Sequence, residues 1–269
     1  MPPSAQRRDR KADRRSDRKA DLVARDLLEQ IAHGELSPGT VLPTESELAD
    51  RYAVNRSVVR ESIKLLEVHR LVEPVRRRGT TVLDPFASLS PDVLRAMVSR
   101  KGRVDLAFLE SLLELRASLD VLICAWAAER RKRVDLDALE RQLDAMAAVA
   151  DEPEAYGEAS FAFGLLLARA THNPVALMLS HWNRAVVADL PHVFGVSRAA
   201  AGPHLEGLRV LVAALADKDV EKVETLVAAF HEWASPRILA AAALSNGEPL
   251  AHAPSGRAKP KPKPKKESK

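Results

Sequence analysis

Apolar residues recur at helical spacing along most of this chain, and the interruptions in that pattern locate its elements. Between Asp21 and His33, Leu22, Val23, Leu27, Leu28 and Ile31 share one side of a helix that Gly34 stops. Thr44 and Glu47 form a T-x-x-E capping box, which starts a second helix with Leu48, Ala49 and Tyr52 facing inward. Asn55 is the N-cap of a third helix, in which Val59, Ile63 and Leu66 make the core stripe. A turn as short as the one between these helices makes them cross steeply. Leu71 to Val75 and Thr80 to Leu83 read as two short strands joined around Arg76, Arg77, Arg78 and Gly79. Beyond residue 84 the helical period returns, with spans expected at Pro91 to Arg100, Leu106 to Arg131, Leu136 to Ala150, Glu154 to Thr171, Pro174 to Phe194, Ala200 to Ala216 and Val220 to Ser245. Prolines near several starts, and Asn173-Pro174 between two runs, mark the boundaries. The pattern predicts a mainly α protein: a winged helix-turn-helix over residues 21–84, a linker at 85–90, and an antiparallel bundle of about seven helices over 91–246.

Composition agrees with helix packing, since 46% of the residues are apolar but only 4% are aromatic. The single cysteine, Cys124, lies in the apolar run LDVLICAWAAE, which excludes disulfide stapling and reads as a buried core thiol. No signal peptide and no apolar stretch of about 18 residues is present, so a cytoplasmic protein with no membrane partner is expected. The net charge of +4 is unevenly spread: residues 1–20 carry +5 and residues 257–269 carry +6, which leaves about −7 on the body between them. Neither end has apolar residues for a core, so 1–20 is expected as a structureless basic tail and 247–269 as a Lys/Pro-rich one. Such tails add non-specific attraction to DNA through counterion release, or serve only as solubilising extensions.

The third helix carries a second stripe, Arg56, Arg60 and Lys64, recurring every four residues away from the core. A basic stripe alone is usually a solvated face, and an Arg triplet alone is usually surface. Together, in this order within about 65 residues, they are the parts of a duplex-DNA reader. An arginine at the N-terminal end of a recognition helix can bond guanine O6 and N7 together or clamp a phosphate. Arg56 and Ser57 are expected near base edges, Arg60 and Lys64 on the backbone or groove lip. Thr44, Glu45, Ser46 and Asn55 are the expected contacts from the helix starts, and Arg77, Arg78, Gly79 and Thr80 those of the wing. Nucleotide-binding glycine loops, an H-E-x-x-H pair and a Cys/His nucleophile pair are all missing, so an enzyme is not expected.

The stretch LPTESELADRYAVNRSVVRESIKLLEVHRLVEPVRRRGTTV resembles the DNA-binding domain of the GntR family of bacterial transcription regulators. Two positions depart from the family's usual pattern: Ser46 stands where an arginine is common, and Ala53 where glycine is frequent in the turn. The following region is similar to the all-helical effector domain of the FadR subclass, through Glu114-Leu115-Arg116, the phrase LARATHNP from Leu167 to Pro174, and Asp219 to His231. The resemblance implies a homodimer on a short inverted repeat of double-stranded DNA, and a small carboxylated or acyl metabolite whose binding alters DNA affinity.

Many members of that subclass hold a metal through an aspartate and three histidines. The corresponding positions here fall on Ser160, on Gly164, near Leu208 with His204 one turn earlier, and on or beside His231, so no metal and no cofactor is expected. The fatty-acid-responsive member that names the subclass shares this loss, which makes an acyl-CoA or an organic acid the expected effector. Arg116 is the first candidate for its carboxylate or phosphate, or else makes an internal salt bridge. His181, Trp182, His204 and His231 are candidate cavity residues. The alternative is a dimeric DNA-binding regulator that has lost effector binding, its bundle serving dimerisation only.

Overall fold

The computed structural model describes residues 4–187, 190–198 and 200–247. Helices α1 (Ser4–Ala32), α2 (Glu45–Tyr52) and α3 (Arg56–Val68) precede a hairpin of β1 (Val72–Val75) and β2 (Gly79–Val82). The hairpin is antiparallel with Val72 opposite Val82 and Val75 opposite Gly79. The loop before α2 adds a third backbone segment to it: Gly39 N donates to Val82 O, Val82 N to Thr40 O and Leu42 N to Thr80 O, each at 2.8 Å. Leu27, Ile31, Leu48, Val59, Leu66, Leu71 and Val82 are buried together at the centre. This is the winged helix-turn-helix that the apolar pattern predicts.

Two features of α1 differ from the expected first helix. It begins at Ser4, so residues 4–20, expected as a structureless tail, have helical backbone. No glycine or proline lies between Ser4 and Ala32, and a helix nucleated on a packed segment propagates through Arg, Lys and Ala without an apolar face of its own. The buried stripe also turns out to be Ala20, Val23, Ala24, Leu27, Leu28 and Ile31, while Leu22 faces solvent. Ala20 is held against the recognition helix because buried Ser62 Oγ lies 2.9 Å from its carbonyl.

The remaining helices are α4 (Pro91–Val98), α5 (Leu106–Arg130), α6 (Arg133–Ala148), α7 (Pro153–Ala170), α8 (Pro174–Val187), α9 (Pro191–Phe194), α10 (Ala201–Asp217) and α11 (Val220–Ser245). Helix α4 stops before Arg100 because Ser99–Arg100 (β3) pairs with Arg103–Val104 (β4) in a small hairpin that the apolar pattern does not announce. The long span expected from Pro174 to Phe194 is two helices, with Pro191 opening the second. The Lys/Pro-rich segment from residue 248 onward lies outside the described residues.

Val104 and Asn246 are joined by two hydrogen bonds, Val104 N to Asn246 Oδ1 at 2.7 Å and Asn246 Nδ2 to Val104 O at 2.8 Å. Asp120 and His231 meet further along at 3.0 Å, so α5 and α11 run antiparallel down the middle of the bundle. The two modules share a core, because Val93, Ala96 and Met97 of α4 pack into the apolar centre of the winged domain. The linker is pinned from both sides: Ser88 Oγ donates to His69 O at 2.7 Å, and Trp182 Nε1 donates to Leu89 O at 2.7 Å.

Candidate DNA interface and effector cavity

The recognition face is built by two capped helix starts. Thr44 N donates to Glu47 Oε2 at 2.7 Å, and Glu47 N donates back to Thr44 Oγ1 at 3.3 Å, so the capping box is closed. Accepting from the Thr44 hydroxyl and amide holds the Glu47 carboxyl below its usual range. Asn55 Oδ1 caps α3 by accepting from Val58 N at 3.0 Å and from Ser57 Oγ at 2.9 Å. Between the two helices Ala53 takes the left-handed conformation with φ of 50°, a geometry that glycine adopts more readily than alanine.

Arg56, Ser57, Arg60 and Lys64 are all exposed on α3, opposite buried Val59, Ile63 and Leu66. Arg56 Nη2 donates to Ser46 Oγ at 2.9 Å, Arg60 Nε donates to both Glu45 oxygens at 2.7 and 2.9 Å, and Lys64 pairs with Glu61 at 2.8 Å. The structure thus brings Glu45 and Ser46 at the start of α2 against Arg60 and Arg56 of α3, with Thr44 and Asn55 as the two caps, Ser57 on the Asn55 cap and Lys64 one turn beyond Arg60. The wing stands apart: the chain reverses at Arg77 (φ 65°), and Gly79 (φ 94°) opens β2 against Val41, with Thr80 next in the strand. Arg76, Arg77 and Arg78 make no ion pair among the described residues.

The helical domain encloses a cavity of about 430 Å³ between α5, α7, α8, α10 and α11. Its wall is chiefly Leu, Ile, Val and Phe, with Arg116, Asp120, Ser160, Ser180, Asn183, Arg184, His204 and His231 among its polar members. Arg116 is three-quarters buried. Its Nε is shielded from solvent, makes no hydrogen bond, and lies 3.5 Å from Asp120 Oδ2, while its guanidinium sits over Phe194 at 5.4 Å. His231 Nε2 is 3.0 Å from the same Asp120, and His204 Nδ1 is 2.7 Å from Tyr156 OH. Cys124 also lines the cavity, and burial, with the Asp120 charge second, pushes its thiol well above the usual range, so it is an inert core group.

Three of the five expected cavity residues, Arg116, His204 and His231, therefore line one chamber. His181 and Trp182 do not: His181 is exposed, and Trp182 spends its indole N–H on the linker, because α8 turns that side toward α4 rather than inward. Asp120, Tyr156, Asn183 and Arg184 were not singled out by the sequence. Asp120 had one signal there, its position four residues after Arg116 on the same helix face. The donor set does not suit the metal that the FadR-like resemblance brings to mind. Ser160 Oγ donates to Tyr156 O at 2.7 Å, Gly164 offers no side chain, and no group of three His, Cys, Asp or Glu among the described residues could hold an ion.

Residues 19–82 match the model of the bacterial regulatory proteins of the gntR family, and residues 111–232 match the FCD domain. The galactonate operon transcriptional repressor of Escherichia coli is 34% identical over 162 residues, which cover 60% of this chain and 70% of that protein. An uncharacterised HTH-type transcriptional regulator of Mycobacterium tuberculosis is 30% identical over 239 residues, 89% of this chain and 93% of its own length. The chain belongs to the GntR family. Its winged module and FCD domain make it a DNA-binding transcription regulator and not an enzyme. A solved structure described as Lar, which controls expression of the Listeria monocytogenes agr system, superposes with a TM-score of 0.55 at 21% identity and covers 81% of this chain and 95% of that one, so the fold of this GntR regulator is shared there. None of its described helices is long and apolar enough to cross a membrane.

Proposed function

We propose that this GntR regulator works in the cytoplasm as a homodimer on a short inverted repeat, and that an acyl or small organic anion bound in the FCD cavity alters its operator affinity. The observation that carries the reading is the shielded Arg116 Nε, a cationic donor that makes no hydrogen bond, only a 3.5 Å ion pair with Asp120, on the wall of a chiefly apolar chamber. A buried charged donor gains most from an anionic acceptor, and the apolar wall suits a hydrocarbon body behind it. Repression, which the name of the E. coli relative states for that protein, is the mode proposed here as well. Two winged modules related by a two-fold axis read an inverted repeat because the symmetry of the protein is mirrored in its site. The effector acts by linkage: binding one arrangement of the DNA-binding modules better than another shifts the operator equilibrium by that difference in affinity.

The test is fluorescence anisotropy on the DNA upstream of the protein's own gene against scrambled duplex at about 150 mM salt, with and without long-chain acyl-CoA, free fatty acids and short organic acids. Release by one of these, lost in Arg116→Ala, is the expected result. Specific binding that none of them alters in either protein would leave a bundle that serves dimerisation only.

A further inference from the structure

Every cation of the recognition stripe already has a partner within the protein, whereas the wing arginines have no carboxylate among the described residues. The firmest pairing is Arg60 with Glu45, made through Nε alone at 2.7 and 2.9 Å. Glu45 is the first residue of α2, where the helix dipole favours a carboxylate, and the closed Thr44–Glu47 box fixes that turn in place. Arg60 is 64% exposed, so the pair presents to DNA as a neutral unit with the guanidinium held edge-on by one side.

From this geometry we infer that Glu45 is a positioning residue for Arg60, making it selective for a base edge and suppressing its use as a phosphate clamp; the inference rests on the assignment of α3 to the DNA. Non-specific grip comes from cations that neutralise phosphates and release counterions. A guanidinium whose charge is cancelled by a carboxylate releases none. With Nε occupied by Glu45, the two Nη groups remain as a parallel pair of donors, which matches guanine O6 and N7. Ser46 orients Arg56 with a neutral oxygen at 2.9 Å, which holds that guanidinium in place but leaves its charge uncancelled. The recognition helix is thus set for discrimination while Arg76, Arg77 and Arg78 supply the general electrostatic hold.

The experiment selects an operator from random duplexes with the full chain, then measures anisotropy on operator and scrambled duplex over a salt series. Glu45→Gln, nearly isosteric, is expected to bind scrambled duplex about five-fold more tightly at about 150 mM salt and to steepen its salt slope by about 0.9, the effect of one added phosphate contact. Operator affinity is expected to change less than about two-fold, so the specificity ratio falls. In an Arg60→Ala background the same substitution is expected to do nothing, and Arg60→Ala alone is expected to weaken operator binding while sparing the scrambled duplex. An unchanged slope in Glu45→Gln overturns the inference. So does an effect that persists without Arg60, which would mean that Glu45 acts on DNA by its own charge. A selection that enriches no sequence overturns both the inference and the regulator reading, whereas an operator that is discriminated equally by both proteins sinks the inference alone.

Discussion

Replacing Gly79 by alanine probes the wing at the point where its backbone is most constrained. Gly79 sits at φ of 94° as the first residue of β2, and a Cβ built there would stand 2.9 Å from Val41 Cγ1. The conformational part costs an L-residue about 1–2 kcal/mol, because its Cβ crowds the backbone carbonyl. The contact with Val41 adds little, since that side chain is 47% exposed and can turn away from a surface position. Gly79→Ala should therefore lose about 1–2 kcal/mol of stability, and Val41→Ala in the same chain should recover only a small part of it. Urea unfolding of the three variants measures this directly, and DNA affinity should fall on all sequences as the wing shifts. A loss below about 0.5 kcal/mol, or complete rescue by Val41→Ala, would refute the argument that backbone conformation and not the side-chain contact demands glycine.

Ala53→Gly should stabilise the protein by up to about 1 kcal/mol, because it relieves a left-handed cap, and calorimetry that shows a loss would mean the entropy gained by the unfolded chain wins instead. Tyr52 OH donates to Asp26 at 2.6 Å, and burial first, with that hydrogen bond second, pushes its phenol up to about 12. The folded state then holds the proton longer than the unfolded one, so stability falls between pH 10 and about 12 by about 1 kcal/mol after allowance for the ring's partial exposure; Tyr52→Phe should flatten that decline in alkaline melts. Asn246→Ala strips both polar partners from the Val104 backbone and should cost about 1–3 kcal/mol by chemical denaturation, with an unchanged midpoint counting against the closure of the bundle. Arg56→Ala should weaken operator binding more than scrambled binding and so reduce discrimination, whereas Arg77→Ala with Arg78→Ala should weaken both equally and flatten the salt slope; equal losses from Arg56→Ala on the two duplexes would remove it from base readout.

The parts that were legible in the sequence are those whose signals are local. Thr44 with Glu47 and Asn55 mark the starts of α2 and α3 within a residue because a cap is a short-range hydrogen bond. Val59, Ile63 and Leu66 follow from period alone. The hairpin of β3 and β4 was not legible, since two-residue strands built from Ser99, Arg100, Arg103 and Val104 have no period to detect. In the cavity, Arg116, His204 and His231 came from the family resemblance. Asp120 needed the antiparallel register of α5 and α11, which brings residues more than a hundred positions apart into contact. Trp182 failed for a related reason: an aromatic on an apolar helix can serve either the chamber or a neighbouring backbone, and only the placement of Leu89 decides between them.

The amide of Asn246 occupies the backbone of Val104 much as a neighbouring strand would, although the two are 142 positions apart in the chain. The entry and exit of the FCD domain therefore lie side by side, and everything from α5 to α11 is a loop closed at its base. Such a unit tolerates being moved: new ends could be opened in an exposed turn and the old ones joined. Exchange of the winged module for another DNA reader would cross the chain at one place only, on the winged-domain side of β4, provided the new module brings apolar residues to cover Val93, Ala96 and Met97.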